Sequence, residues 1–163
     1  MTFTVNDDEK YMKTALDEAR KAYEKGETPV GAVIVRDGRV IAAAHNRRET
    51  GKNALFHAEL LCIDEACREL GGWRLPGCTL YVTLEPCPMC AGAVINSRIE
   101  RVVFGASDGK AGSFGSVTDL SRMPFNHRPE ISGGVLAAEC SALLSDFFSE
   151  LRAKSKKERD CTP

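Results

Sequence analysis

The sequence TLYVTLEPCPMC, residues 79–90, joins the pattern of a buried strand to the start of a helix. Its first half is a nearly continuous apolar run with β-branched and aromatic side chains, which is typical of a strand inside a sheet. Pro88 suits the first position of a helix, where a backbone N–H has no partner to lose. We therefore predict a strand over residues 79–84 and a helix over 88–97, with Cys87 and Cys90 at the junction.

Helices and strands alternate along the rest of the chain. Apolar residues at helical spacing predict three further helices, over residues 7–25, 57–70 and 136–156. Apolar runs predict four further strands, over residues 31–36, 39–45, 101–106 and 130–132, with the preferred hairpin turn Asp37-Gly38 between the first two. In the helix over 57–70 we expect the core-facing side to consist of Leu60, Ile63, Cys67 and Leu70.

This order of elements predicts a fold of the α/β class, a three-layer α/β/α sandwich around a mixed five-stranded sheet. Residues 107–128 are rich in Gly and Ser and predict an ordered loop with one short helix near residues 117–120. The length of 163 residues fits a single domain over 1–163, in which we expect 153–163 to be a basic, frayed tail.

Composition narrows the possible functions. Seven cysteines are an odd number, scattered through helix and strand patterns, so we do not expect a disulfide framework. The amino terminus lacks the features of a secretory signal and no apolar run has membrane-spanning length, so we predict a cytoplasmic protein without a membrane partner. The net charge of -1 means that any binding of nucleic acid depends on a local basic patch.

The pair Cys87 and Cys90 has three possible functions when it is considered alone. Residues three apart share a helix face, and the amino end of a helix favours the thiolates that bind metals, so the pair can hold an ion. A structural zinc site would need further ligands, and the other close spacing, Cys62 to Cys67, lies inside a predicted helix. A thiol-redox pair is the third possibility, since such motifs also have two residues between the cysteines.

His57-Ala58-Glu59, at the start of the preceding helix, favours a catalytic metal site. This triplet followed by a Pro-Cys-x-x-Cys motif is the known signature of zinc-dependent deaminases. His57, Cys87 and Cys90 give three zinc ligands, the number typical of catalytic sites, and Glu59 is the candidate general base. His57 and Glu59 can converge only if the helix begins almost at His57, because residues two apart within a helix point to different sides.

In these motifs and several others the chain resembles the bacterial tRNA-specific adenosine deaminases of the cytidine-deaminase-like superfamily. The shared stretches are PVGAV (29–33), HN (45–46), HAE (57–59), TLYVTLEPCPMCAGA (79–93), SR (97–98), VFGA (103–106), FNH (125–127) and LLSDFF (143–148). The resemblance implies a cytidine-deaminase-like fold and one Zn²⁺ per chain. It also implies that a homodimer hydrolyses the wobble adenosine of a tRNA anticodon, typically in an arginine tRNA, to inosine.

The resemblance also implies a set of substrate contacts. Asn46 would hydrogen-bond the flipped nucleoside, Asp108 would contact the ribose of a flanking nucleotide, and Phe148 and Arg152 would contact flanking bases. Asn126 and His127 would help to hold the splayed anticodon. The sequence departs from many family members at Phe56 and Ser107, which we expect to affect the substrate range.

Two alternative functions remain open at this stage. One is deamination of a free nucleobase or nucleoside such as guanine or cytosine, with the same zinc chemistry. The long last helix, with Phe148 and Arg152, argues against it because a small-molecule pocket has no need of that extension. The other is a non-catalytic zinc or thiol-redox module, which would use Cys87 and Cys90 without Glu59.

Overall fold

The computed structural model describes residues 4–161, which form one mixed sheet and four α-helices. The elements in chain order are α1 (Val5–Glu24), β1 (Gly31–Arg36), β2 (Arg39–His45), α2 (Ala58–Leu70), β3 (Cys78–Leu84), α3 (Pro88–Ser97), β4 (Arg101–Ala106), a 3₁₀ turn (Leu120–Arg122), β5 (Glu130–Gly133) and α4 (Ala137–Asp160). The five strands lie in the order β2-β1-β3-β4-β5. β1 pairs antiparallel with β2 and β3, whereas β3, β4 and β5 run parallel, so the predicted mixed five-stranded sheet is confirmed.

Alternate residues of the central strands enter two separate cores, one on each face of the sheet. On one face Val33, Val35 and Tyr81 pack with Met12 and Leu16 of α1 and with Cys140 of α4. On the other, Ala32, Ile34 and Leu80 pack with Cys62 of α2 and Val94 of α3. Because side chains of a strand point to opposite faces in turn, two cores with one sheet between them make the three predicted layers.

α1 is held against the sheet by a close backbone approach and by a buried ion pair. A Cβ at Gly31 would overlap the backbone of Ala15 and Ala19 in α1, so only glycine fits there. At the other end of the helix, Arg101 of β4 donates two hydrogen bonds to Asp8, at 2.7 and 2.8 Å. The hydroxyl of Tyr81 donates a third to the same carboxylate, at 2.9 Å.

The buried face of α2 differs from the predicted one. Its buried residues are Ala58, Glu59, Cys62, Ile63 and Ala66. Of the four residues predicted to face the core, Ile63 is buried, Cys67 and Leu70 are partly buried and pack against the core, and Leu60 lies outside it. Small side chains let α2 lie close to β1, where the Cys62 Sγ is 3.6 Å from the Ala32 carbonyl oxygen, and this close packing outweighs the greater hydrophobicity of leucine.

Two further differences lie in the second half of the chain. The short helix predicted near residues 117–120 is a 3₁₀ turn at Leu120–Arg122. α4 continues to Asp160, four residues beyond the predicted end, so that most of the segment expected to fray is helical. No helix within residues 4–161 combines the length and the apolar character that crossing a membrane requires.

Candidate active site

His57, Cys87 and Cys90 come together at the amino ends of two helices. His57 immediately precedes α2 in an extended conformation (φ -77°, ψ 149°), and Cys87 precedes α3 in a similar one (φ -72°, ψ 172°). The Nδ1 atom of His57 lies 3.6 Å from the Sγ atom of Cys87 and 3.6 Å from that of Cys90. Since α2 begins directly after His57, the structure meets the geometric condition that the sequence imposed on His57 and Glu59.

This set of donor atoms fits a zinc ion. In a tetrahedral site with about 2.0–2.1 Å to a histidine nitrogen and about 2.3 Å to a cysteine sulfur, nitrogen and sulfur lie about 3.6 Å apart. The observed separations have that value, and all three donor atoms lie within 4.8 Å of one another. Three protein donors are also the number found in catalytic zinc sites, whereas structural sites have four.

Hydrogen bonding within this group favours a thiolate at Cys87. The bond with the Cys90 thiol lowers the pKa of Cys87 to about 4, and His57 contributes in the same direction. The same bond, together with burial, raises the pKa of Cys90. Because the deprotonated sulfur is the metal ligand, Cys87 is prepared for metal binding at neutral pH.

Glu59 is the buried acid of the site. It occupies the first turn of α2, is 4% exposed, and lines the same cavity as His57 and Cys87. Burial raises the pKa of its carboxyl group to about 7. A carboxyl group that titrates near neutrality can both accept and release a proton, as general acid–base catalysis requires.

A cavity of about 660 Å³ opens onto these residues. This volume is within the range of small-ligand sites and suits a nucleoside. The predicted site residues among its walls are Asn46, His57, Glu59, Cys87, Asp108 and Phe148. A second depression of about 340 Å³ shares Lys110, Leu144 and Phe148 with the cavity and adds Ser145 and Arg152. The surface available to a ligand therefore continues from the cavity along α4.

The oxygen and the nitrogen of the Asn46 amide have different roles, one in the fold and one in the cavity. Its Oδ1 atom accepts a hydrogen bond of 2.9 Å from the backbone N–H of Ala58, the first residue of α2. That bond fixes the orientation of the amide, since a backbone N–H can only donate. No hydrogen bond of the amide nitrogen occurs within residues 4–161, so Asn46 offers the cavity a donor.

Asp108 orders the loop on which it lies. Its Oδ1 atom accepts hydrogen bonds from the backbone N–H groups of Lys110, at 2.9 Å, and Ala111, at 3.3 Å. Of the two departures from the family pattern, Ser107 lines the cavity beside Asp108. Phe56 is not among the cavity residues; the Arg47 guanidinium lies over its ring, 5.6 Å from the ring centroid.

Asn126 and His127 lie apart from the other predicted residues. His127 Nε2 is 2.6 Å from the carbonyl oxygen of Ile99, just before β4 begins. The metal donors follow the opposite, carboxyl end of β3, which runs parallel to β4. Within one chain these two residues therefore lie at the opposite end of the strands, outside the cavity, and their predicted contact with the splayed anticodon stays a prediction.

Sequence reasoning missed two buried glutamates that fix the loops around the cavity. Glu27 is 1% exposed and accepts backbone hydrogen bonds from Glu49 and Thr50, in the loop that contributes Arg48 to the cavity. Glu85 is 2% exposed and accepts bonds from the Ser116 hydroxyl, at 2.6 Å, and backbone N–H, at 3.3 Å. Its position two residues before a metal donor was the one signal in the sequence.

Comparison with known proteins gives matches along most of the chain. Residues 6–152 match the family model described as MafB19-like deaminase. A tRNA-specific adenosine deaminase of Bacillus subtilis (strain 168) is 60% identical over 153 residues, which cover 93% of this chain and 95% of that protein.

Two solved structures show the same fold. One, from work on A-to-I editing by tRNA deaminases at the wobble position of transfer RNA, has a TM-score of 0.81 and 45% identity, covering 83% of this chain and 99% of the other. The second, a guanine deaminase from Nitrosomonas europaea, has a TM-score of 0.72 and 27% identity, covering 85% of this chain and 83% of the other.

Proposed function

The chain belongs to the MafB19-like deaminase family, and we propose that it hydrolyses adenosine at the wobble position of a tRNA anticodon to inosine, with release of ammonia. The protein is a deaminase related to tRNA-specific adenosine deaminases over almost its whole length. The observation that carries the choice of RNA is the continuation of the 660 Å³ cavity into a second depression along α4. A free base would occupy only the cavity and would make no use of the depression.

We further propose that His57, Cys87 and Cys90 hold one Zn²⁺. Their donor atoms have the spacing of a tetrahedral zinc site, and Cys87 has the low thiol pKa that a ligand needs. When bound there, the ion lowers the pKa of a water molecule and so supplies a nucleophile at neutral pH. Two thiolate ligands offset the charge of the ion, so this site depends on a protein base more than a site with three histidines does.

Glu59 is the residue that moves protons in this proposal. Its carboxylate accepts a proton from the attacking water and delivers it to the ring nitrogen next to the reacting carbon. It then carries the second proton to the departing amino group, which leaves as ammonia. Each turnover thus consumes one water molecule and returns Glu59 to its initial state. A positioned acid–base group of this kind contributes roughly 10²- to 10⁴-fold in rate.

The remaining contacts suit an unpaired anticodon. A base within a duplex cannot reach a buried site, whereas an anticodon loop can present a splayed base. Asn46 offers a donor to the base, and Phe148, which is 40% exposed, offers an aromatic surface to a neighbour. Lys110 and Arg152 supply positive charge beside it. An arginine tRNA as substrate and a homodimeric assembly belong to this proposal and rest on the resemblance to the family. A cytoplasmic location belongs to it as well.

The decisive test supplies three substrates separately: an anticodon stem-loop with a wobble adenosine, guanine, and cytidine. We expect ammonia release and inosine only from the stem-loop. Glu59→Gln should lose about 10²- to 10⁴-fold in kcat and keep about one zinc per chain. The exposed Glu65→Gln on the same helix is the matched control. Turnover of guanine alone would replace this proposal with that of a free-base deaminase, and full activity of Glu59→Gln would reject the role of Glu59.

A further inference from the structure

The second half of α4 is a helix that extends beyond the body of the protein. α4 has 24 residues. At 1.5 Å per residue it is about 36 Å long. Phe147 is its last buried residue, and every described residue from 148 to 161 is exposed. Residues 148–160 are therefore largely available to solvent or to a partner.

Basic residues on this segment are arranged on a defined side. Successive residues of a helix are rotated by about 100°, so that Arg152, Lys156 and Arg159 lie within about 80° of Phe148 when viewed down the axis. We call these three residues the basic stripe. Lys154 and Lys157 lie about 120° and 180° from Phe148, on the other side.

The contacts of α4 agree with this geometry. Arg152, at the start of the basic stripe, lines the depression beside the active-site cavity together with Lys110 and Phe148. Lys154 instead lines a separate depression with Tyr23 and Glu24 of α1. The basic stripe thus continues the substrate surface away from the cavity, while Lys154 faces another part of the molecule.

The charges of the basic stripe are not neutralised within the protein. No ion pair of Arg152, Lys156 or Arg159 occurs in the described part of the chain, 4–161. The chain as a whole has a net charge of -1, so this positive strip is a local feature. An exposed row of cations on one side of a helix matches the charge of a phosphate backbone.

We propose that the basic stripe binds the phosphates of the anticodon stem, the duplex that carries the anticodon loop. This inference rests on the proposed function, in which the loop occupies the cavity and the depression next to it. From Arg152 to Arg159 the stripe spans about 10 Å. The stem is an A-form RNA duplex, so a stripe of this length can face several consecutive phosphates of one strand. The stem continues from the loop, and the basic stripe continues from the depression in which the loop is proposed to lie.

The test compares two substrates and two double variants of equal charge change. The substrates are an anticodon stem-loop with its full stem and the unpaired loop sequence alone, each with the wobble adenosine. Lys156→Gln with Arg159→Gln removes the outer part of the basic stripe and leaves Arg152, which lies beside the cavity, intact. Lys154→Gln with Lys157→Gln removes the same charge from the other side of α4 and is the control. Kd and deamination are measured at about 50 and 200 mM salt.

Two phosphate contacts account for about tenfold in affinity between these salt concentrations. Between the two salt concentrations, we expect the Kd for the stem-loop to rise about tenfold more in the wild type and the control variant than in the stripe variant. Binding of the unpaired loop should be the same for all three proteins. Equal losses in stripe and control variants, or no difference between them and the wild type, would overturn the role of the stripe. If no protein deaminates either RNA, the proposed function fails, and the Kd comparison still decides whether the stripe binds the duplex.

Discussion

Asn46 allows the fold and the chemistry of the site to be tested separately. Its Oδ1 atom accepts a hydrogen bond from the Ala58 N–H at the start of α2, while its amide nitrogen is the donor that we propose for the substrate. Asn46→Asp keeps an acceptor for the helix and removes the donor from the cavity. Asn46→Ala removes both. The two variants should therefore differ in stability, and both should lose activity.

The expected effect on stability follows from the burial of Ala58, which is 0% exposed. In Asn46→Ala its N–H has no acceptor, and leaving a buried donor unsatisfied costs about 1–3 kcal/mol. For a chain of this size each kcal/mol lowers Tm by roughly 2–4 °C. We expect Tm to fall by about 2–12 °C in Asn46→Ala and to fall less in Asn46→Asp. The exposed Asn96→Ala on α3 is a control that should leave Tm unchanged.

The expected effect on activity has the opposite order. Loss of one hydrogen bond to a neutral acceptor of the substrate removes about 0.5–1.5 kcal/mol, or about 2- to 13-fold in kcat/KM, in Asn46→Ala. In Asn46→Asp a carboxylate oxygen faces that acceptor, and we expect a loss of about 10²-fold. Thermal unfolding and deamination of the stem-loop measure the two effects. Wild-type turnover by Asn46→Asp, or wild-type Tm for Asn46→Ala, would refute the division of roles.

Three further predictions concern the frame of the site. Asp8→Asn should lower the free energy of unfolding by about 3 kcal/mol near neutral pH, because it breaks a largely buried pair with Arg101. Burial opposes ionisation of Asp8, but its hydrogen bonds to Arg101 and Tyr81 outweigh burial and lower its pKa. The stabilisation is therefore present above about pH 4 and is lost as the pH falls through the pKa of the folded state. Urea unfolding at several pH values measures this dependence. Gly112→Ala should lower kcat/KM, because a Cβ there would overlap the Glu85 carboxylate. Gly92→Ala is the control and should leave kcat/KM unchanged, because a Cβ there has no neighbour within 4 Å. Unchanged kinetics of Gly112→Ala would contradict the prediction. Removing zinc with a chelator should lower Tm and abolish deamination, and adding Zn²⁺ should restore both; a Tm insensitive to chelation would contradict metal binding by the folded state.

Local sequence patterns predicted the elements and the clustering of His57, Cys87 and Cys90, but contacts between distant segments were missed. The apolar runs of β1 and β3 were sufficient because a strand covered on both faces needs such residues at every position. The core side of α2 was predicted only in part: Ile63, Cys67 and Leu70 contact the core, but hydrophobicity ranks Leu60 above Ala58 and Ala66, whereas close packing on the sheet selects small side chains. Glu27 and Glu85 were missed because their partners lie 22 and 31 residues away in the chain, and nothing near them in sequence marks a loop anchor.

The positions of the His-Ala-Glu and Pro-Cys-x-x-Cys motifs can be explained by the geometry of helix starts. His57 and Cys87 both occupy the residue before a helix, and neither caps it with its side chain. A capping side chain at such a position is worth about 1 kcal/mol, so each helix lacks that stabilisation while the side chain is free for the proposed metal site. Because His57 is extended and precedes the helix, the helical rotation per residue does not fix the direction of its side chain. His57 and Glu59 can therefore reach the same cavity although they are only two residues apart. Asn46 replaces part of the missing cap on α2 from outside the helix, and it thereby makes the orientation of His57 depend on a residue that also lines the cavity.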